Sequence, residues 1–329
     1  MPAFELPTLS LPFPACINPH HDAVNESCRS WFISMEFEDQ EGVLREYESV
    51  RCCELMARGF PCIGPTELGN LTTLGFWMFM LDDSVDQGPM SMPHTAARQH
   101  LDRVFSLISG ARDKSSSLTK LEESGVILVS RILDEMTPVG RVRLLDDIRT
   151  LFDRVTHQVE TSSRFPDKVP DLLSIARHRR IASAALVTFR LGEYAHHAEL
   201  PEAFYRSILF EALQDSAADV VTMINDLYSY EKEHQHLEIH NYVVACQDLL
   251  GGTLDEAVTF LVRLLNSRVR CFQQARERLP ELIRTQAFST GEQHAIQLYV
   301  QMLEHWMRGN LDWSEKVPRY NAIRQQQSR

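Results

Sequence analysis

The chain has 329 residues, of which only 14 are Gly against a typical share of about 7%, a composition that favours long helices over many turns. Its formal net charge is −12, which excludes nucleic acid or an anionic membrane surface as the main partner, because both are bound through basic patches. An acidic protein that handles an anionic substrate needs cations between the two.

The first twenty residues, MPAFELPTLSLPFPACINPH, contain five prolines, one acid and no Lys or Arg. This excludes the basic start and apolar stretch of a secretory signal, and residues 1–20 are read as an extended arm. The seven cysteines form no CxxC pair, so they are expected to be reduced thiols in a cytoplasmic protein. The longest apolar stretch, Leu74 to Leu81, is far short of the ~20 residues that a membrane span needs.

Prolines at 138, 166, 170, 201, 280 and 318 separate segments with helical periodicity, as expected of a bundle with short connections. No strand pattern stands out. From Glu202 to Leu279 there is no Pro, and Gly251-Gly252 is the main break, so two or three successive helices are predicted there. Ala295, Leu298, Met302 and Trp306 form one helical stripe, with Arg308-Gly309-Asn310 as the expected stop. The economical division is an arm at 1–20, one α-helical domain at 21–320 and a tail at 321–329.

Eight apolar residues run directly into Asp82, Asp83 and Asp86. On a helix, Asp82 and Asp86 are i and i+4, so their carboxylates share a face and repel unless a cation lies between them. Helix C-termini favour cations, which argues against a simple acidic helix end. The calcium loop of an EF-hand is excluded, because Gln87 and Pro93 stand where it needs Gly and Glu.

A second stripe, Asn225, Ser229 and Glu233, falls at i, i+4 and i+8. An amide oxygen, a hydroxyl and a carboxylate then line up over about 12 Å of helix. All are hard oxygen ligands of the kind Mg²⁺ accepts, and Lys232 beside them can meet a phosphate. Either stripe alone could be a solvated helix face; two in one helical chain suggest two walls of a metal–diphosphate site. Zinc is a competing reading, from His236 and His240 at i and i+4 near His234, but Glu238 does not sit directly after the first His as the zincin pattern requires.

Together these residues resemble the class I terpene synthase family. Asp82-Asp83-Ser84-Val85-Asp86 is similar to its aspartate-rich motif, and the segment from Asn225 to Glu233 is similar to its Asn/Ser/Glu motif. Arg319-Tyr320 looks like its C-terminal arginine–tyrosine pair, and GNLDWSEKVPRY has the look of fungal sesquiterpene synthases. The three motifs occur in the family's order and cover most of the chain.

The resemblance implies a single all-α bundle with the active-site cavity in its core. It also implies three Mg²⁺ ions, two on Asp82 and Asp86 and the third on Asn225, Ser229 and Glu233. Arg179, Lys232, Arg319 and Tyr320 would bind diphosphate, and Asp83 would orient an arginine. Arg179 holds the family's sensor position 46 residues before Asn225, with Arg177 and Arg180 as rivals. The sequence departs from the family pattern just beyond it, where Ala182 is the linker residue and Ser183 replaces the usual glycine. Phe76, Phe79 and Trp313 are candidates for a wall that stabilises a carbocation through aromatic faces, with core packing as the alternative for each.

The implied reaction is ionisation of a linear prenyl diphosphate, with farnesyl diphosphate expected, and cyclisation to a sesquiterpene. Geranyl or geranylgeranyl diphosphate would serve the same machinery. A trans-prenyltransferase would carry a second Asp-rich stripe where this chain has Asn, Ser and Glu. A non-catalytic helical binding protein would bind without turnover. Nothing in the sequence separates a monomer from a homodimer.

Overall fold

The computed structural model describes residues 6, 8–85, 93–110, 117–165, 168–235 and 238–320. Among them the chain is all-α, with no strand. The helices are α1 (His21–Ser34), α2 (Gln40–Val50), α3 (Cys52–Gly59), α4 (Pro65–Val85), α5 (His94–Ile108), α6 (Lys120–Glu135), α7 (Pro138–Arg164) and α8 (Leu172–Ala182). They continue as α9 (Ala185–Ala195), α10 (Glu202–Tyr205), α11 (Ile208–Gln235), α12 (Tyr242–Leu250), α13 (Leu254–Glu277), α14 (Leu279–Gln286) and α15 (Thr290–Ser314).

Local chemistry sets many of these boundaries. Thr119 Oγ1 accepts from the Glu122 N–H while Glu122 Oε2 accepts from the Thr119 N–H. The same reciprocal box opens α13 at Thr253 and Glu256 and α15 at Ser289 and Glu292, satisfying helix-start amides that have no intrahelical acceptor. Asp171 caps α8 and Asn241 caps α12. Gly251, at φ 57°, ends α12 in the left-handed region, where a Cβ would be strained.

Helix α4 buries Leu68, Leu71, Leu74, Phe76 and Trp77, so apolar side chains cover every side of it, the pattern of a helix enclosed by others. Helices α1, α2, α3, α6 and α9 pack around it. On the other side of the core, α11 packs against α8, α9, α12, α13 and α15. Full burial of a Leu or Phe such as Leu227 or Phe189 contributes about 1.5–3 kcal/mol relative to exposure. The segment before α1 lies on the bundle, with Leu9, Leu11 and Phe13 buried and the Phe13 ring edge-on to Phe272 at 5.7 Å. No helix among the described residues is long and apolar enough to cross a membrane.

Two expectations need correction. Among the described residues the span 202–279 holds four complete helices rather than two or three, the first a single turn. Helix α15 does not stop at Arg308-Gly309-Asn310 but runs on to Ser314. Gly309 is there for close approach: a Cβ on it would lie 2.7 Å from Arg58 Cβ and 2.9 Å from the Arg58 carbonyl carbon. Asn310 Nδ2 donates to Val221 O at 3.1 Å, so tertiary contacts hold the helix across a sequence that reads as a terminator. The tail expected at 321–329 lies outside the described residues.

Candidate active site on helix α11

Asn225, Ser229 and Glu233 sit on successive turns of the C-terminal half of α11. Three other parts of the chain reach this face. Arg179, from the last turn of α8, donates through Nη2 to Asn225 Oδ1 at 2.9 Å and pairs with the Asp226 carboxylate. Tyr320, beyond α15, accepts through its hydroxyl from Asn225 Nδ2 at 2.6 Å. Asn241, at the start of α12, donates to Glu233 Oε2 at 2.8 Å.

Asp226 is fully buried. Burial pushes its carboxyl up, while Arg179 and the Tyr242 N–H oppose that shift; Tyr242 N lies 2.7 Å from Asp226 Oδ2. Burial likewise works against charge on Arg179, and Asp226 and Glu233 outweigh it to keep the guanidinium protonated. The other two arginines of the run go elsewhere. Arg180 pairs with Asp215 and Asp219, and Arg177 is exposed.

A second charged group forms where α2, α4 and the residues after α15 meet. Arg319 donates to Asp83 from Nη2 at 3.0 Å and from Nη1 at 3.3 Å, and Nη1 also pairs with Glu46 on α2. Its guanidinium carbon lies 5.6 Å from the centre of the Phe79 ring. Lys232 is part of the same field: burial and then the Arg319 charge pull its pKa down, while Asp83, Glu233 and Glu46 work in the other direction. Two cations, Arg319 and Lys232, thus stand beside the oxygen stripe of α11, where an anion would be bound.

The three aromatic candidates have different surroundings. Phe79 is half-buried against Arg319. Trp313 is buried, donates Nε1 to Val50 O at 2.9 Å and lies edge-on to Tyr320 at 5.5 Å, so it backs the tyrosine. Phe76 is enclosed by Phe32 and Tyr47, at ring separations of 4.9 and 5.1 Å, and is a core residue on the side of α4 that faces α1 and α2. Asp82 is exposed near the end of α4, and Asp86 lies outside the described residues.

Ala182 ends α8, and Ser183 caps it through an N–H to Arg179 O at 3.1 Å. Ala184 then takes φ 60° and α9 begins at Ala185. The chain therefore breaks one turn after Arg179, with alanine in the left-handed region.

A model of terpene synthase family 2, C-terminal metal binding, matches residues 74–271, the span that contains both the aspartate-rich and the Asn/Ser/Glu stripes. The chain belongs to this terpene synthase family. It is 26% identical to pristinol synthase of Streptomyces pristinaespiralis, over 97% of this chain and 86% of that protein. It is 28% identical to sesquiterpene synthase 6 of Postia placenta, over 94% and 87%. Among solved structures, germacradien-4-ol synthase from Streptomyces citricolor superposes with a TM-score of 0.82 at 20% identity, covering 94% of this chain and 100% of that one, which shows a shared fold. This terpene synthase is accordingly a lyase that acts on a prenyl diphosphate and depends on divalent metal. Glu46, Asp226 and Asn241 were not singled out from the sequence. Asp226 adjoins Asn225 and Asn241 reads as a cap, but nothing local marks Glu46.

Proposed function

We propose that this terpene synthase ionises farnesyl diphosphate, releases diphosphate and closes the allylic cation into a sesquiterpene. The observation that carries this reading is the chain of hydrogen bonds Arg179–Asn225–Tyr320. It joins side chains from three distant motifs on one helix face. The sesquiterpene class rests on the name of the Postia relative, and a C15 product calls for a C15 diphosphate.

The oxygens present suit Mg²⁺. Ser229 Oγ is buried without a hydrogen-bond partner, a state that costs about 1–3 kcal/mol and that a bound cation would relieve. Asn225, Ser229 and Glu233 would hold one ion, and Asp82 with Asp86 two more. Bound Mg²⁺ supplies Lewis acidity that neutralises the departing diphosphate.

The protein's own groups divide the remaining work. Arg179, Lys232, Arg319 and Tyr320 would donate to diphosphate oxygens, fixed in advance by Asn225, Asp226 and Asp83, so charge forming on the leaving group meets dipoles already in place. Phe79 offers an aromatic face beside that cluster. The break at Ala182–Ala184 would let Arg179 move relative to α9 when diphosphate arrives. All seven cysteines are unpaired, which supports a cytoplasmic enzyme.

The test is incubation of the purified protein with farnesyl diphosphate, with Mg²⁺ or with EDTA, and mass spectrometry of a solvent overlay. A cyclic C15 hydrocarbon or alcohol that appears only with Mg²⁺ is expected. Turnover of only the C10 or C20 diphosphate would replace the substrate, and consumption of isopentenyl diphosphate would move the enzyme to chain elongation.

A further inference from the structure

The geometry points to Asn241 as a positioning residue that aims the Glu233 carboxylate at the metal site and ties it to the Arg179–Asp226 pair. This rests on Glu233 being a Mg²⁺ ligand. Asn241 is fully buried, and its Oδ1 accepts from Val243 N at 2.7 Å, capping α12. Ser, Thr or Asp would cap equally well, so capping does not account for the amide.

The amide nitrogen does something those residues cannot. Asn241 Nδ2 donates to Glu233 Oε2 at 2.8 Å and to Asp226 O at 3.1 Å. These acceptors are seven residues apart on α11, and one NH₂ group reaches both. Helical side chains lean towards the N-terminus of their helix, so the Glu233 carboxylate is drawn back over the turn that carries Ser229 and Asp226. A glutamate near a helix end otherwise keeps rotamer freedom worth up to about 2 kcal/mol.

The next residue completes the grip. Tyr242 N donates to Asp226 Oδ2 at 2.7 Å, and Asp226 Oδ1 receives Arg179. Asn241 and Tyr242 therefore hold, from one helix start, both the metal ligand and the partner of the diphosphate-facing arginine. Hydrogen bonds to a ligating carboxylate fix its orientation, and their loss costs roughly 10- to 100-fold in metal affinity.

Calorimetry of Mg²⁺ binding in the presence of inorganic diphosphate tests this without turnover. Asn241→Asp keeps the cap oxygen but removes the donor and sets a like charge against Glu233; Asn241→Ser keeps the cap and is too short to reach. Both should bind Mg²⁺–diphosphate roughly 10- to 100-fold more weakly, Asn241→Asp the more so. Asn241→Ser adds no charge and should keep ligand-free thermal unfolding closer to that of the parent than Asn241→Asp, which buries a carboxylate without a counter-charge. In a Glu233→Ala background the Asn241 substitutions should have no further effect, because coupled residues are non-additive. Additive losses in both backgrounds, or unchanged binding in the single variants beside an impaired Glu233→Ala, would overturn the proposal and leave the functional reading standing. Unimpaired binding by Glu233→Ala would remove the metal-ligand reading itself, and the role of Asn241 with it.

Discussion

Arg179 Nη2 donates to Asn225 Oδ1 at 2.9 Å from α8, with two helices between it and α11 in the chain. The same guanidinium neutralises buried Asp226, so one side chain serves both the fold and the diphosphate end of the site.

These two roles can be separated by substitution. Arg179→Ala leaves Asp226 buried without a counter-charge, a loss of about 3–5 kcal/mol in stability. Arg179→Lys keeps a charge but not the forked donor geometry. Turnover of the lysine variant should fall by roughly 10²- to 10³-fold, as when a preorganised donor is removed, while circular dichroism stays native. Exposed Arg177→Ala should turn over like the parent; a dead Arg177→Ala beside an active Arg179→Lys would reassign the diphosphate contact.

Asp83 and Glu46 both hold Arg319, but not equally. Asp83 takes both terminal nitrogens, whereas Glu46 reaches one of them. Asp83→Asn should therefore reduce kcat/KM more than Glu46→Gln does, and a steady-state comparison of the two decides it. A larger defect in Glu46→Gln would make α2 the main support of Arg319.

Gly309→Ala should destabilise the protein by about 1–3 kcal/mol, the range for overpacking a filled core. The added methyl meets the Arg58 backbone, so α3 and α15 must separate. Urea denaturation of the variant, with the midpoint lowered and the slope unchanged, is the expected readout. A midpoint equal to that of the parent would mean that the two helices have room to move.

Acid should weaken the fold before most carboxylates titrate. Burial pushes His178 down to about 3 and His240 and His196 down to about 4, from about 6.5 in the unfolded chain. Their stabilising share is fully present above pH ~6.5, where both states are neutral. As pH falls towards 4, the unfolded chain takes up protons that the folded one refuses, at about 1.4 kcal/mol per imidazole per pH unit. His240→Gln should make that decline shallower by one such share. A His240→Gln variant that loses as much stability as the parent between pH 7 and pH 5 would contradict neutral burial of His240.

Local rules were enough for much of the site. The spacing of Asn225, Ser229 and Glu233 set them on one face because helix geometry alone does so. The caps at Asp171, Asn241 and Thr253 can be read from side chains one to three residues away from the amides they satisfy. The break at Gly251 follows from what a Cβ costs at positive φ. Misreadings arose where distant groups outweighed local preference, as at Gly309, where Arg58 and Val221 carry α15 through an apparent stop.

The sequence by itself determined the helical class, the order of the motifs and the oxygen donors offered to a metal, because these depend on neighbours within a few turns. Only the tertiary structure decided which arginine of 177, 179 and 180 meets Asn225, that Phe76 belongs to the core, and that Asn241 grips Glu233. Those choices depend on which side of one helix another packs against, and that is settled by contacts between residues far apart in the chain.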